Sequence, residues 1–303
     1  MKDKTSHERL IAQNLRDKFF RGWRVFRVSF KIKSGRSEAV FRAEGPDGRK
    51  LAIKHCAHPR KAIEEFIALQ SLSAARGDCI RPVFLDEQAS VFAMEWIEAP
   101  TLKQMMQRPR RLDLIRQAGR WLKGLHSATR CWTPRRDRQI EGDLLIGPQG
   151  GEFKKIDAIL RNRRTRLGLR LHRHSLLHTD FHMGNLFVDG ERIIAFDPMT
   201  SRRGLPVHDV ADFLVLCEVY RLHAAMRGDG WPDCGGQDRR AFLDGYGALK
   251  PRRKRLLGFA LDVKIARMWH HHAKADTRAP LADAEFLHLS KRMRQRGLLH
   301  PVD

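Results

Sequence analysis

In the stretch HTDFHMGNLFVDGERIIAFDP, from His178 to Pro198, three oxygen-bearing side chains fall at chemically useful intervals. Asp180 stands five residues before Asn185, and Asp197 closes the apolar run Ile193–Phe196. An Asp and an Asn so placed on a tight loop can face one cavity from opposite sides. Leu186-Phe187-Val188 continues as a strand, and Asp189-Gly190 supplies a two-residue hairpin turn whose glycine accepts positive φ. The return strand then brings Asp197 back toward the loop. That layout suits phosphoryl transfer. One carboxylate positions a substrate hydroxyl, while an amide oxygen and a second carboxylate hold Mg²⁺ on the phosphates of ATP. Two other readings compete for the same residues. Asp and Asn beside a hairpin are ordinary turn formers. His178, Asp180 and His182 also alternate as Zn²⁺ ligands would on an extended segment, although a zinc hydrolase needs further ligand clusters elsewhere.

The elements that must position these groups start at Trp23. Alternation predicts strands over Trp23–Lys33, Val40–Glu44 and Lys50–Lys54, with turns at Ser34-Gly35-Arg36-Ser37 and Gly45-Pro46-Asp47-Gly48. The third strand ends Leu51-Ala52-Ile53-Lys54, an apolar strand carrying one lysine, which is how an ammonium is brought to nucleotide phosphates. A strand lysine is also the ordinary device of a solvated edge. Ala62–Leu72 follows with a helical face of Ile63, Phe66, Ile67, Ala68 and Leu72. Glu65, four and seven residues before Leu69 and Leu72, is placed to fix the Lys54 ammonium, whereas Glu64 is expected to face water. Strands Ile80–Leu85 and Ser90–Trp96 lead into Met94–Pro100, which breaks the pattern like a hinge. Beyond Asp209 the periodicity predicts helices over Val210–His223, Arg239–Tyr246, Arg252–His271 and Asp283–Arg296. The run Trp269-His270-His271-His272 lies on one of them. Adjacent helical positions point about 100° apart, so three successive imidazoles do not converge on one ion, and they are expected at the surface or a substrate pocket. Trp231, Trp269 and Tyr246 are expected in the core.

From about Phe26 to Leu216 the chain resembles the aminoglycoside phosphotransferase-like branch of the protein-kinase fold, a broad group of small-molecule kinases. HTDFHMGN is similar to that family's catalytic loop, which implies Asp180 as catalytic base, His178 and His182 as loop-shaping residues and Asn185 as a Mg²⁺ ligand. IIAFDP resembles the metal-binding strand end, with Asp197 as second ligand; its Asp-Pro pair is similar to the streptomycin-kinase subgroup. LPVHDVADFL resembles the segment that anchors the catalytic loop, giving Asp209 a structural role. Leu122–His126, in WLKGLH, resembles the helix end that carries a Leu-His pair. The resemblance implies an α+β, bilobal fold: an N-terminal antiparallel β-sheet lobe with one main helix, residues 1–97, and a larger, mostly helical C-terminal lobe, residues 98–303. ATP would then meet Lys54, Glu65, Gly35 of the phosphate loop, and the hinge backbone at Glu95 and Ile97. Two features depart from protein kinases. The phosphate loop has a single glycine, and Met199–Gly204 runs quickly into the next helix with no activation segment, as in a constitutively formed small-molecule site.

Size and composition bound the rest. A chain of 303 residues suffices for one bilobal kinase or two small domains. It has no run of about 18 apolar residues, and MKDKTSHERLIAQNL lacks the apolar core of a secretory signal. Five cysteines, at 56, 79, 131, 217 and 234, form no CxxC pair and suit a reducing cytosol. Lys and Arg outnumber Asp and Glu by 58 to 35, a net charge of +23. The excess falls in clusters at Arg108–Arg111, Arg135–Arg138, Lys154–Lys155, Arg161–Arg166, Arg170–Arg173 and Arg252–Arg255. Either these are solvated helix faces, or they draw the enzyme to an anionic surface, as for a lipopolysaccharide core sugar kinase peripheral to the inner membrane. A non-catalytic, polyanion-binding pseudokinase is the remaining alternative. Nucleic acid fits less well, since no aromatic stripe interleaves with the arginines. So positive a field also suits a cationic aminoglycoside acceptor badly; Asp229, Asp233, Asp238, Asp244 and Asp262 are the carboxylates left to line a pocket.

Overall fold

A computed structural model describes residues 11, 13, 15, 17–18, 20–33, 36–132, 151–167, 173–229, 236–273 and 279–299. The chain forms two compact units. The first runs up to Ala99 and takes in Ile194–Ser201; the second comprises Pro100–Ile193 and everything from Arg202 onward.

The first unit is built on five antiparallel strands, β1 (Arg24–Lys33), β2 (Arg36–Glu44), β3 (Lys50–His55), β4 (Pro82–Asp86) and β5 (Val91–Glu95), in the order β1-β2-β3-β5-β4. Pleating sorts the side chains by parity. Ala39, Phe41, Ala43, Leu51, Ile53, Val91 and Ala93 all point to one face and pack there with Leu15 and Phe20. Lys54, next to Ile53 on the central strand β3, therefore points to the opposite face. There the helix α1 (Pro59–Ala75) packs, with Phe66 edge-on to Phe92 at 6.0 Å. The helix starts earlier than its apolar pattern suggests. The His58 ring caps it by accepting the Arg60 N–H at 3.1 Å, and Pro59 occupies the first helical position. The buried stripe of α1 is Ala62, Glu65, Ala68, Leu69 and Leu72, which sets one glutamate among apolar residues. The Gly45–Gly48 turn closes as expected, with Gly48 at φ 79°. At the other hairpin, Arg36 and Ser37 are strand residues paired with Lys33 and Ile32 rather than turn residues, so β2 begins four residues before the expected Val40.

The second unit is mostly helical: α2 (Arg111–Ala128), α3 (Glu152–Arg166), α4 (Val207–Met226), α5 (Gln237–Tyr246), α6 (Pro251–Ala273) and α7 (Pro280–Gln295). Short strands β6 (Cys131–Trp132), β7 (Arg173–Leu177) and β10 (Arg202–Gly204) make a small sheet, order β10-β7-β6. Between β7 and β10 the chain passes through β8 (Leu186–Asp189), turns at Gly190 with φ 60°, and leaves along β9 (Arg192–Ala195). The core is aromatic: Trp121 stacks on Phe181 at 5.6 Å and Phe213 on Phe242 at 4.1 Å. Helix α3 was not visible as a helix in the sequence, where its arginines read only as charge; within it Ile156 and Leu160 are the fully buried apolar anchors. Among the described residues no helix is long and apolar enough to cross a membrane.

Three of the acidic residues expected to line a pocket are held by arginines, and one of these, Asp238, also lines a small pocket with Cys217, Glu218 and Arg239. Asp238 pairs with buried Arg111 at 2.9 Å, Asp262 takes Arg163 at 2.7 Å together with Arg296, and Asp229 takes Arg227 at 2.7 Å. A buried carboxylate requires such a partner to offset its lost hydration. Asp244 is exposed on α5, and Asp233 and Trp231 lie outside the described residues. Trp269 and Tyr246 are core residues; Trp269 donates its indole N–H to Ser290 at 2.9 Å.

Helices α2 and α5 touch backbone to backbone. A Cβ on Gly119 would lie 2.3 Å from the Phe242 carbonyl oxygen, and one on Gly245 only 1.9 Å from that of Arg116. Neither backbone can yield without parting the helices. Gly245→Ala is therefore expected to cost about 3 kcal/mol, seen as a lower denaturant midpoint than that of Gly77→Ala, where the added Cβ meets nothing within 4 Å and the backbone is not left-handed.

Candidate active site

Each unit contributes one cluster of functional side chains. In the first, the Lys54 ammonium sits 2.7 Å from Glu65 Oε2 and also donates to Asp197 Oδ1. Glu64 does not meet it but pairs with Arg60 at the surface, at 2.9 Å. Burial would strip the proton from Lys54, yet Asp197 and Glu65 outweigh it and hold the amine above its usual range. Glu65 is pushed up by burial, against the pull of Lys54. Lys61, itself paired with Glu38, approaches the other Glu65 oxygen at 3.6 Å. Cys56 lies 3.7 Å from Glu65, and burial together with that carboxylate pushes its thiol up to about 12, leaving it neutral. Lys61, Glu38 and Cys56 were not singled out in the sequence, since nothing in their spacing ties them to Lys54.

Asp197 reaches this cluster by an indirect route. Ala195 makes a parallel bridge to Cys79, with Ile80 N–H donating to Ala195 O at 3.1 Å, so the end of β9 is stitched onto the first unit. Asp197 itself adopts φ 59°, a left-handed conformation that Asp tolerates better than most residues. The hinge residues lie in the same unit. The N–H of Glu95 donates to Arg81 O at 3.0 Å, and its carboxylate holds the Arg81 N–H at 3.0 Å and guanidinium at 3.2 Å. Its side chain is thus engaged by Arg81. Ile97 is half-buried on the following segment, and Gly35 lies outside the described residues.

In the second unit the loop between β7 and β8 hangs on one carboxylate. Asp209, fully buried at the start of α4, accepts the His178 N–H at 2.8 Å and the Thr179 N–H at 3.0 Å. His126 Nε2 lies 3.1 Å from the same side chain, and Tyr246 closes the chain at 2.9 Å from His126 Nδ1. Burial would raise the Asp209 pKa, but His126 and these N–H donors keep it below the usual range. Thr179 is held at φ 67°, an unfavourable conformation for a β-branched residue. The two bonds that Asp209 accepts from the His178 and Thr179 N–H groups help offset that strain.

The loop then presents Asp180. Asn185 Nδ2 donates to Asp180 Oδ2 at 2.9 Å and to its carbonyl at 3.1 Å, which turns the Asn185 amide oxygen away and leaves it available. His182 Nδ1 accepts the Gly184 N–H at 3.0 Å, so its proton sits on Nε2, 3.5 Å from Asp180 Oδ2. Burial pushes Asp180 up, His182 pulls it down, and the net position is below the usual range: the carboxylate is ionised at neutral pH. Tyr220 bonds His182 Nδ1 at 3.1 Å, and burial with the nearby Asp180 and Glu285 pushes its phenol up to about 12. Glu285 in turn lies 3.3 Å from His223 and 3.6 Å from His272. Tyr220 and Glu285 went unremarked in the sequence because each is far along the chain from Asp180.

The zinc alternative fails on this geometry. His178 is wholly buried, edge-on to Trp121 and Phe181, while His182 is turned to Gly184 and Tyr220; the two rings share no coordination point. Among the described residues no group of three His, Cys, Asp or Glu side chains is arranged to hold a metal.

A family model described as "Phosphotransferase enzyme family" matches residues 31–257. The chain belongs to that family. It is thus an enzyme, a phosphotransferase acting on the hydroxyl of a small molecule. Solved structures share this phosphotransferase fold at low identity. An amicoumacin kinase, solved with AMP-PNP, Ca²⁺ and Ami, superposes with a TM-score of 0.66 at 16% identity, covering 100% of this chain and 98% of its own. A choline/ethanolamine kinase family protein from Mesorhizobium loti gives 0.65 at 18%, covering 96% and 97%. An aminoglycoside-3'-phosphotransferase of type VIII gives 0.57 at 20%, covering 85% and 98%. None of the curated proteins matches the sequence.

Two outcomes check the site's energetics. Lys54→Met leaves Glu65 buried against an apolar stem and should cost about 3 kcal/mol, while Lys54→Met/Glu65→Leu should regain most of it in chemical denaturation. Because the Asp209 carboxyl is held low, its stabilisation is present above about pH 4, the unfolded value, and is lost as pH falls through the folded one. Asp209→Asn should lower Tm at pH 7 and flatten the loss of Tm on acidification below about pH 4.

Proposed function

We propose that this phosphotransferase moves the γ-phosphoryl group of ATP to a hydroxyl of a small molecule or saccharide, with Mg²⁺ as the metal. The observation that carries this reading is the Asp180 carboxylate. It is ionised, about one-third exposed, and fixed in orientation by Asn185 and His182. A hydroxyl donating to Asp180 is aimed by that bond, and its proton passes to the carboxylate as the oxygen joins phosphorus and the bridging oxygen of ADP leaves. A carboxylate with a low pKa is a weak base. That is sufficient for a loose transition state, in which the proton moves late and positioning matters most.

Lys54 would contact the phosphates, with Glu65 holding its ammonium in place. His178 and His182 would shape the loop, and Asp209 would anchor it. The donor chemistry fits a hard cation: Asn185 keeps its amide oxygen free of its own bonds to Asp180, and Asp197 is a partly exposed carboxylate. These two would supply oxygens to Mg²⁺, which when bound neutralises charge on the phosphates. The adenine would lie against the hinge backbone, with the Glu95 carbonyl and the Ile97 backbone as its partners.

Asp180→Asn keeps the shape of the side chain and its contact with Asn185 but removes the charge. It should reduce kcat for ADP release by about 10³-fold at unchanged Tm, with a panel of sugars, amino-alcohols and aminoglycosides as acceptors. Full turnover in that variant, with any of these acceptors, would sink the assignment.

A further inference from the structure

Away from Asp180, the helical unit holds a shallow notch that four cations line together with Ser127, Ser175 and Pro206. Lys123 and Arg130 come from α2 and its C-terminal end, Arg173 from the start of β7 and Arg253 from the first turn of α6, with His126 and Tyr246 also lining it. No carboxylate lines the notch, and none of the four cations has an ion pair among the described residues. In the same unit Arg111, Arg161, Arg163 and Arg292 each meet an acid.

The four are close enough to oppose one another. Burial, then Arg253 and Arg130, lowers the affinity of Lys123 for its proton; desolvation, then Arg173 and Arg253, does the same at Arg130. Two of them are also held by rings. The Arg173 guanidinium lies 4.4 Å from the Trp132 centroid and the Lys123 ammonium 5.5 Å from that of Tyr246. Four like charges drawn from three elements repel unless something neutralises them, and the notch is small and open, with a cavity volume of about 30 Å³. A ligand must therefore sit at the mouth, presenting one small anionic face to the cations. Guanidinium forks match tetrahedral oxyanions in both charge and geometry.

We propose that this notch binds a phosphate-type oxyanion, inorganic phosphate or the phosphoryl group of a monoester. Its floor is made of His126 and Tyr246, the side chains that support Asp209, so an occupied notch braces the catalytic loop from behind.

Thermal denaturation tests the site, with inorganic phosphate and phenyl phosphate titrated in parallel against sodium chloride of equal ionic strength. Wild type is expected to gain about 2–3 °C at a ligand concentration tenfold above Kd. Lys54→Met should show the same gain, which separates the notch from the nucleotide phosphates. Arg130→Gln/Arg253→Gln should melt no lower than wild type in chloride, because repulsion is relieved, and should lose the gain. A gain with inorganic phosphate alone assigns the free ion, and an equal gain with phenyl phosphate assigns the monoester as well. In wild type, phosphate should also protect Lys123 from acetylation several-fold, read by mass spectrometry, while exposed Lys254 reacts as before. A phosphate response that persists in the double variant, or no protection of Lys123, overturns the proposal.

Discussion

The buried carboxylate of Asp209 is the constraint on which the loop that carries Asp180 depends. A charge without water must find donors, and here they come from three sources: two successive backbone N–H groups and one imidazole. Those bonds bend the chain at Thr179 into a conformation the residue disfavours on its own. The strain places the partly exposed Asp180 two residues after a wholly buried His178. The same carboxylate ties α2, α4 and, through Tyr246, α5 to the loop, so helix packing and loop geometry are fixed by one group.

Much of this was legible in the chain because the signals were local. Asp180, Asn185 and the Asp189-Gly190 turn lie within one supersecondary unit, where spacing determines geometry. Glu65 was distinguishable from Glu64 because it falls on the apolar stripe of α1, and only a residue on that stripe can reach a strand lysine. The limits were equally physical. The ends of α1 and α4 lie about a turn beyond the apolar pattern, and at α1 the His58 cap and Pro59 that start the helix do not show in apolar periodicity. Helix α3 was missed since two buried side chains anchor fifteen residues. Glu285 and Tyr220 approach Asp180 only through tertiary packing, which one sequence does not reveal.

The positive charge separates into two populations. Some arginines are structural, answering buried acids such as Asp238 and Asp262. Others have no acidic partner among the described residues, and Arg130, Arg173 and Arg253 of these line one notch beside His126. The overall charge of +23 is therefore less informative than its distribution: a residue's partner, more than its sign, shows what it does.

The bridge from Ala195 to Cys79 has a bearing on how the protein is made. The first unit is discontinuous in sequence, since its last segment, Ile194–Ser201, is translated only after the chain from Pro100 to Ile193. On the ribosome the five-stranded sheet and α1 can form while Asp197 is still unmade, so Lys54 first meets Glu65 alone. The second carboxylate joins late, delivered by a chain that has already passed through the catalytic loop. A nascent chain thus has its phosphate-side lysine in place well before it has both candidate metal ligands, and a prematurely terminated product ending before β9 would carry Asp180 without Asp197.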